Sequence, residues 1–169
     1  PDFAEKIGIE RDTALISNLN IRYHADQVTT KIGLDVLRDI KATNNRITAG
    51  TSVHHLLFNE LDIGNYRTFF KLKPPLRSNA DREALTEAIR EGLIDNICSM
   101  HTPQDEESKR LPFEEAAPGA VGLETILPAS LSLYHNKILS LNQLFRLLAL
   151  NPANIIKKGL GCLDEGQPA

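Results

Sequence analysis

The sequence predicts an α/β fold built on a parallel sheet, and three observations carry that prediction. Strand-like and helix-like stretches alternate three times along the chain. Each strand-and-helix unit is about the length of a crossover between parallel neighbours. No hairpin signal joins consecutive strands. Periodicity alone leaves both an open sheet and a closed barrel compatible with this pattern.

Taken in order, Glu10 to Asn18 reads as a short helix with Ala14 and Leu15 facing a core. In the next stretch, residues 21 to 30, Ile21, Tyr23 and Ala25 alternate with Arg22, His24 and Asp26, the period of a strand. Thr29 or Thr30 caps a helix over Lys31 to Thr43, where Ile32, Val36 and Ile40 recur at helical spacing beside Leu37. Asn44-Asn45 is a turn signal. Arg46 to Ser52 is a strand of β-branched and small residues, with His54-His55 just past its end. Ile63 to Phe70 is an aromatic loop, and Lys71 to Arg77 is extended because two prolines forbid a helix.

Ser78 or Asn79 caps a helix from Ala80 to Glu91, closed by Gly92. Ile94 to Ser99 is the third strand. A long charged loop follows, then a helix from near Gly122 to about His135, apolar nearly all round and so expected to be buried. Ser140 caps a last long helix, Leu141 to Leu150, and NPANIIKKGLG makes a short helix and turn.

Composition bounds the function. The 169 residues are 41% hydrophobic and 24% charged, ordinary for one soluble domain with a sizeable core. A net charge of -3 gives no basic footprint for nucleic acid. No apolar run nears the roughly 18 residues of a membrane-spanning helix. The acidic start PDFAEKIGIERD is no signal peptide. Cys98 and Cys162 lack metal spacing and read as buried free thiols, which suits the cytoplasm. The start at Pro1 and the turn-rich end LGCLDEGQPA give the expectation of a piece of a longer protein.

Few side chains declare chemistry by themselves. Adjacent histidines on a strand would point to opposite faces, so His54 and His55 would offer at most one ligand to a common metal, and a surface or supporting role is expected. His24 and His101 sit at strand ends, where hydrogen-bonded structural histidines are commoner than ligands. The acidic run Asp105-Glu106-Glu107 reads as a solvated loop face, able to pair with Lys109-Arg110 at the surface. There is no phosphate loop, nucleophile elbow or HExxH motif.

Four stretches in order, KLKPPLRSNADREAL, GLIDNICSMHTP, KRLPFEEAAPGAVGLETILP and LLALNPANI, resemble the C-terminal half of a dihydroorotase, a member of the amidohydrolase superfamily. RYHADQVTT and TSVHHLLFNE resemble upstream segments, so the likeness covers about residues 10 to 163. It implies strands six to eight of a (β/α)8 metallo-dependent-hydrolase TIM barrel over 1–163, with 164–169 beginning a further segment. It also implies a zinc centre that polarises a ring carbonyl and activates water, interconverting carbamoyl aspartate and dihydroorotate.

Against that pattern four positions depart. Gln27 stands where active members carry a zinc-binding histidine, and an amide oxygen is a weak ligand beside imidazole. His24, three residues earlier, would face the other side of a strand and so not substitute. Met100 replaces the catalytic aspartate of a DHAPH-like motif and has no proton to transfer. Gln104 replaces its last histidine and Lys73 an asparagine, both substrate-binding in the family, while Gly119 matches a glycine whose backbone approaches the substrate.

The resemblance thus implies a non-catalytic dihydroorotase-like protein of pyrimidine biosynthesis. Such a pseudoenzyme would have zinc absent or weakly bound. It would be a structural partner of aspartate transcarbamoylase, or a homo-oligomer. The alternative is an active zinc-dependent dihydroorotase in which His101, His54 or His55 takes over, or a related cyclic amidohydrolase.

Overall fold

The computed structural model describes residues 2–19, 21–163 and 165–166. Its centre is a three-stranded parallel sheet in the order β1 (Tyr23–Ala25), β2 (Ile47–Ser52), β3 (Asn96–Cys98). Tyr23 pairs with Ile47 and Ala25 with Ala49, while Gly50 pairs with Asn96 and Ser52 with Cys98. The sheet therefore advances by about three residues across β2, and all three strands end along one edge.

Helices cover one face. α1 (Asp2–Ser17) precedes β1, and α2 (Lys31–Lys41) crosses from β1 to β2. α3 (Val53–Leu57) and α4 (Asn79–Arg90) connect β2 to β3. α5 (Glu106–Arg110), α6 (Ile126–His135), α7 (Leu141–Phe145) and α8 (Asn151–Ile155) follow. Alternation in the strands selects the covered face: Ala25, Ile47, Ala49 and Ile97 pack with Leu34, Leu37, Leu85, Ile89 and Leu144 in one core. Each fully buried leucine there contributes about 1.5–3 kcal/mol. The other face carries His24, Thr48, Gly50, Asn96 and Cys98, which take no part in that cluster.

The caps fall where the sequence places them. The Thr30 hydroxyl accepts from the Gly33 amide and Ser78 from Asp81, while Ser140 and Gln143 form a reciprocal capping box. Gly92 ends α4 with φ +76°.

Several expectations change. α1 starts eight residues earlier than predicted; its second apolar face, with Phe3, Ile7 and Leu15, is exposed, which blurs the periodicity. β1 is three residues long, so Gln27 lies beyond it. Gln27 and His24 therefore do not lie on opposite faces of one strand. His54 and His55 stand on a helix and are both buried. The charged loop contains α5, with Asp105 as its cap. Its Asp105-Glu106-Glu107 run is solvated as expected, and Arg110 pairs with Glu106. Lys109 does not reach the surface: it is buried, its Nζ donates to the Thr68 carbonyl (3.0 Å), and burial lowers its pKa.

α6 begins at Ile126, and Leu127 and Tyr134 are exposed, so it is not buried all round. The helix predicted for 141–150 passes after Phe145 into a π turn, Arg146–Leu150. Neither thiol is fully buried. Of the predicted terminal segment 164–169, residues 164 and 167–169 lie outside the described residues.

Candidate functional site

Parallel pairing brings three equivalent positions to one edge, each two residues past its strand: Gln27 after β1, His54 after β2 and Met100 after β3. Gln27 has φ +56° and Met100 φ +46°. Left-handed backbone at a residue with a Cβ is uncommon and costs on the order of 1 kcal/mol. Both side chains are half-buried. The Gln27 amide N–H donates to Asp26 Oδ1 at 2.9 Å, closing a tight turn off β1.

Below Gln27, His24 Nδ1 meets the Thr48 hydroxyl at 2.8 Å. That hydroxyl donates to the Tyr23 carbonyl, so it accepts from His24 Nδ1 and leaves Nε2 as a lone pair. Nε2 lies 3.9 Å from Asp26 Oδ1. Burial lowers the His24 pKa, partly opposed by Asp26 and Asp95. Burial likewise lifts the Cys98 thiol to about 11, which leaves it inert at neutral pH.

The β2 end is a satisfied structural joint. His55 Nε2 donates to the Pro75 carbonyl (3.2 Å), so Nδ1 accepts from Ser52 Oγ (2.7 Å). Desolvation pushes its pKa down to about 4. This histidine ties the extended Lys71–Arg77 strap, which contains a cis Lys73-Pro74 bond, to the sheet. Arg77 at the strap's end donates to Thr29 Oγ1 (3.0 Å) and lies near Glu5, whose carboxylate also accepts the Thr29 and Thr30 amides. The strap, α1 and the turn bearing Gln27 are thereby joined. His54 differs: it is 5% exposed, burial lowers its pKa, and among the described residues its Nε2 has no partner.

At the β3 end, His101 is exposed and its Nδ1 accepts from the Gly122 and Leu123 amides at 3.1 and 3.2 Å. Residues 119–123 fold onto it. The Thr102 amide donates to the Ala120 carbonyl, and the Gly119 amide donates to Lys71 O on the strap (2.8 Å). Gly119 has φ +138°, and a Cβ there would overlap the Thr102 carbonyl and come within 3.2 Å of Gln104 Nε2. A Cβ on Gly122 would overlap the Ser99 carbonyl and approach His54 Nε2. So Gly119, Gln104 and the strap meet at one corner, whereas the Lys73 side chain is exposed. Sequence reasoning missed Gly122 and the His55–Pro75 joint. The glycine in GAVGLET was a visible signal for the first, while the second depends on a contact 20 residues away.

Among the described residues, no three His, Cys, Asp or Glu side chains group closely enough to hold a metal ion. Of the zinc ligands that the resemblance implies, only the position held by Gln27 falls in this chain, and its amide oxygen is a weak donor, so the described residues do not by themselves fit the ion.

Comparisons with known proteins fit this geometry. No family model matches the chain. A dihydroorotase of Ehrlichia canis (strain Jake) is 40% identical over 167 residues, 98% of this chain and 37% of that protein. A dihydroorotase of Aquifex aeolicus (strain VF5) is 39% identical over 166 residues, 98% of this chain and 39% of that protein. Among solved structures, the L-hydantoinase (dihydropyrimidinase) from Arthrobacter aurescens matches at TM-score 0.91 and 28% identity, covering 100% of this chain and 39% of that one. The dihydropyrimidinase from Brevibacillus agri NCHU1002 matches at TM-score 0.92 and 18% identity, over 100% and 39%, a likeness of fold alone.

The chain is an α/β segment of the amidohydrolase barrel type. By sequence it is a homologue of the dihydroorotases along essentially its whole length. It spans about two-fifths of the length of the curated relatives it matches.

Proposed function

We propose that this chain supplies strands six to eight of the barrel, over 1–163, in a dihydroorotase-like protein of pyrimidine biosynthesis that has lost catalysis. Its role is structural, as a partner of aspartate transcarbamoylase in the cytoplasm. One observation carries the reading. Gln27 and Met100 hold left-handed backbone at matching strand ends, yet carry an amide and a thioether. Strained backbone at such a place is a mark of a functional site. Here it supports side chains that offer no imidazole ligand and no general base. Gln104 and Lys73 stand at the two substrate-binding positions that the resemblance marks as altered, and Gly119 keeps its place.

The test uses the full-length protein. Mixed with aspartate transcarbamoylase catalytic chains, it elutes with them in one size-exclusion peak, while purified alone it turns over no dihydroorotate. Separate elution together with turnover overturns the proposal.

A second reading, an active zinc-dependent dihydroorotase, rests on the buried, unpartnered His54 Nε2 beside the Met100 segment. His55 gives it no support, because both of its ring nitrogens are engaged. A His54→Ala change that abolishes a genuine activity would favour this reading.

A further inference from the structure

We infer that His101 is a positioning residue locked in the Nε2–H tautomer, closed to both general-base and metal-ligand duty. The inference deepens the non-catalytic reading by removing the nearest replacement for the side chain that Met100 lacks.

Gly122 and Leu123 both point their N–H groups at His101 Nδ1, at 3.1 and 3.2 Å. Two donors facing one ring nitrogen require a lone pair there, so the proton of the neutral ring sits on Nε2. Among the described residues Nε2 has no protein partner, and the side chain is exposed. His101 therefore offers the mouth of the sheet a single N–H donor, suited to a carbonyl or carboxylate oxygen of a ligand.

A general base needs a free lone pair within reach of the substrate. Nδ1 has none free, and Nε2 is protonated. Zinc at Nε2 would need either an imidazolate or a proton moved to Nδ1, and the latter would turn a donor against two amide donors. Those amides belong to the turn that leads into α6, and among the described residues they donate to no backbone carbonyl. The clasp also explains the glycine at 122, which packs between the Ser99 carbonyl and His54 with no room for a Cβ. A bridge between His101 and Ala120 holds the same corner from the backbone side.

The test is made on the full-length protein with 15N-labelled histidine. Long-range 1H–15N spectra at pH 7.5 are expected to show His101 as the Nε2–H tautomer, unmoved by added Zn2+. Two variants separate clasp from bulk. His101→Asn keeps an acceptor oxygen near the Nδ1 position, whereas His101→Gln places its amide near Nε2. The Gly122 and Leu123 amides should keep their slow hydrogen exchange in His101→Asn and exchange about tenfold faster in His101→Gln. An Nδ1–H tautomer, a His101 resonance shifted by Zn2+, or equal exchange in the two variants would overturn the inference. None of these outcomes measures turnover, so this inference and the non-catalytic reading can fail separately.

Discussion

The ends of β2 and β3 lie side by side, and their histidines do different things. Past β2, His55 is buried, with both ring nitrogens bonded, and joins the sheet to the strap. Past β3, Met100 is half-buried with nothing to titrate, and His101 turns its lone pair inward to backbone amides. The first end is built to hold the fold. The second holds a left-handed turn at Met100 and a corner clasped by His101. The difference teaches that the geometry of a mouth is maintained by residues other than those that would react there.

The comparison breaks most visibly at His55. His55→Ala should cost about 2–4 kcal/mol, from the cavity and two lost bonds, read as a shifted denaturation midpoint of the full-length protein. A shift near zero would mean the β2 joint holds nothing. Gly122→Ala comes next, at about 1–3 kcal/mol, because its Cβ overlaps the Ser99 carbonyl and the chain must move.

Acid sharpens the contrast further. His55 is held neutral down to about 4, below its ordinary 6.5. Between those values the unfolded chain binds a proton that the folded chain refuses. Stability therefore falls as pH drops from 6.5 toward 4, by at most about 1.4 kcal/mol per pH unit for this group. His54, also lowered by burial, acts in the same direction. Midpoints measured at pH 7.5, 6 and 5 should converge between wild type and His55→Ala; parallel curves would contradict the cause. The smallest effect belongs to the β3 end. Met100→Gly should shift stability by less than about 1 kcal/mol, since glycine relieves the left-handed backbone while loosening the unfolded chain.

Much of the fold is legible from local signals. Thr30, Ser78 and Ser140 announce their helices because a cap needs only a hydroxyl and the amide of its own first turn. β2 shows through its β-branched residues, and the parallel order through the alternation of elements. The beginning of α1 and the exposed side of α6 are not legible, because apolar residues there face outward and no local rule says which apolar face is covered. The site is legible only by position. Met100 can be placed at a strand end from the sequence and Gln27 only through the resemblance, but their left-handed backbone, the strap joined through His55 and the amides on His101 come from contacts between distant segments.

The central claim is that the scaffold persists while its chemistry has gone. It is tested most directly by measuring zinc content and dihydroorotate turnover together on the full-length protein, purified to homogeneity. The account predicts zinc well below one per chain and turnover no faster than the protein-free rate. One zinc per chain, with turnover that follows the protein through every step of purification, would contradict it.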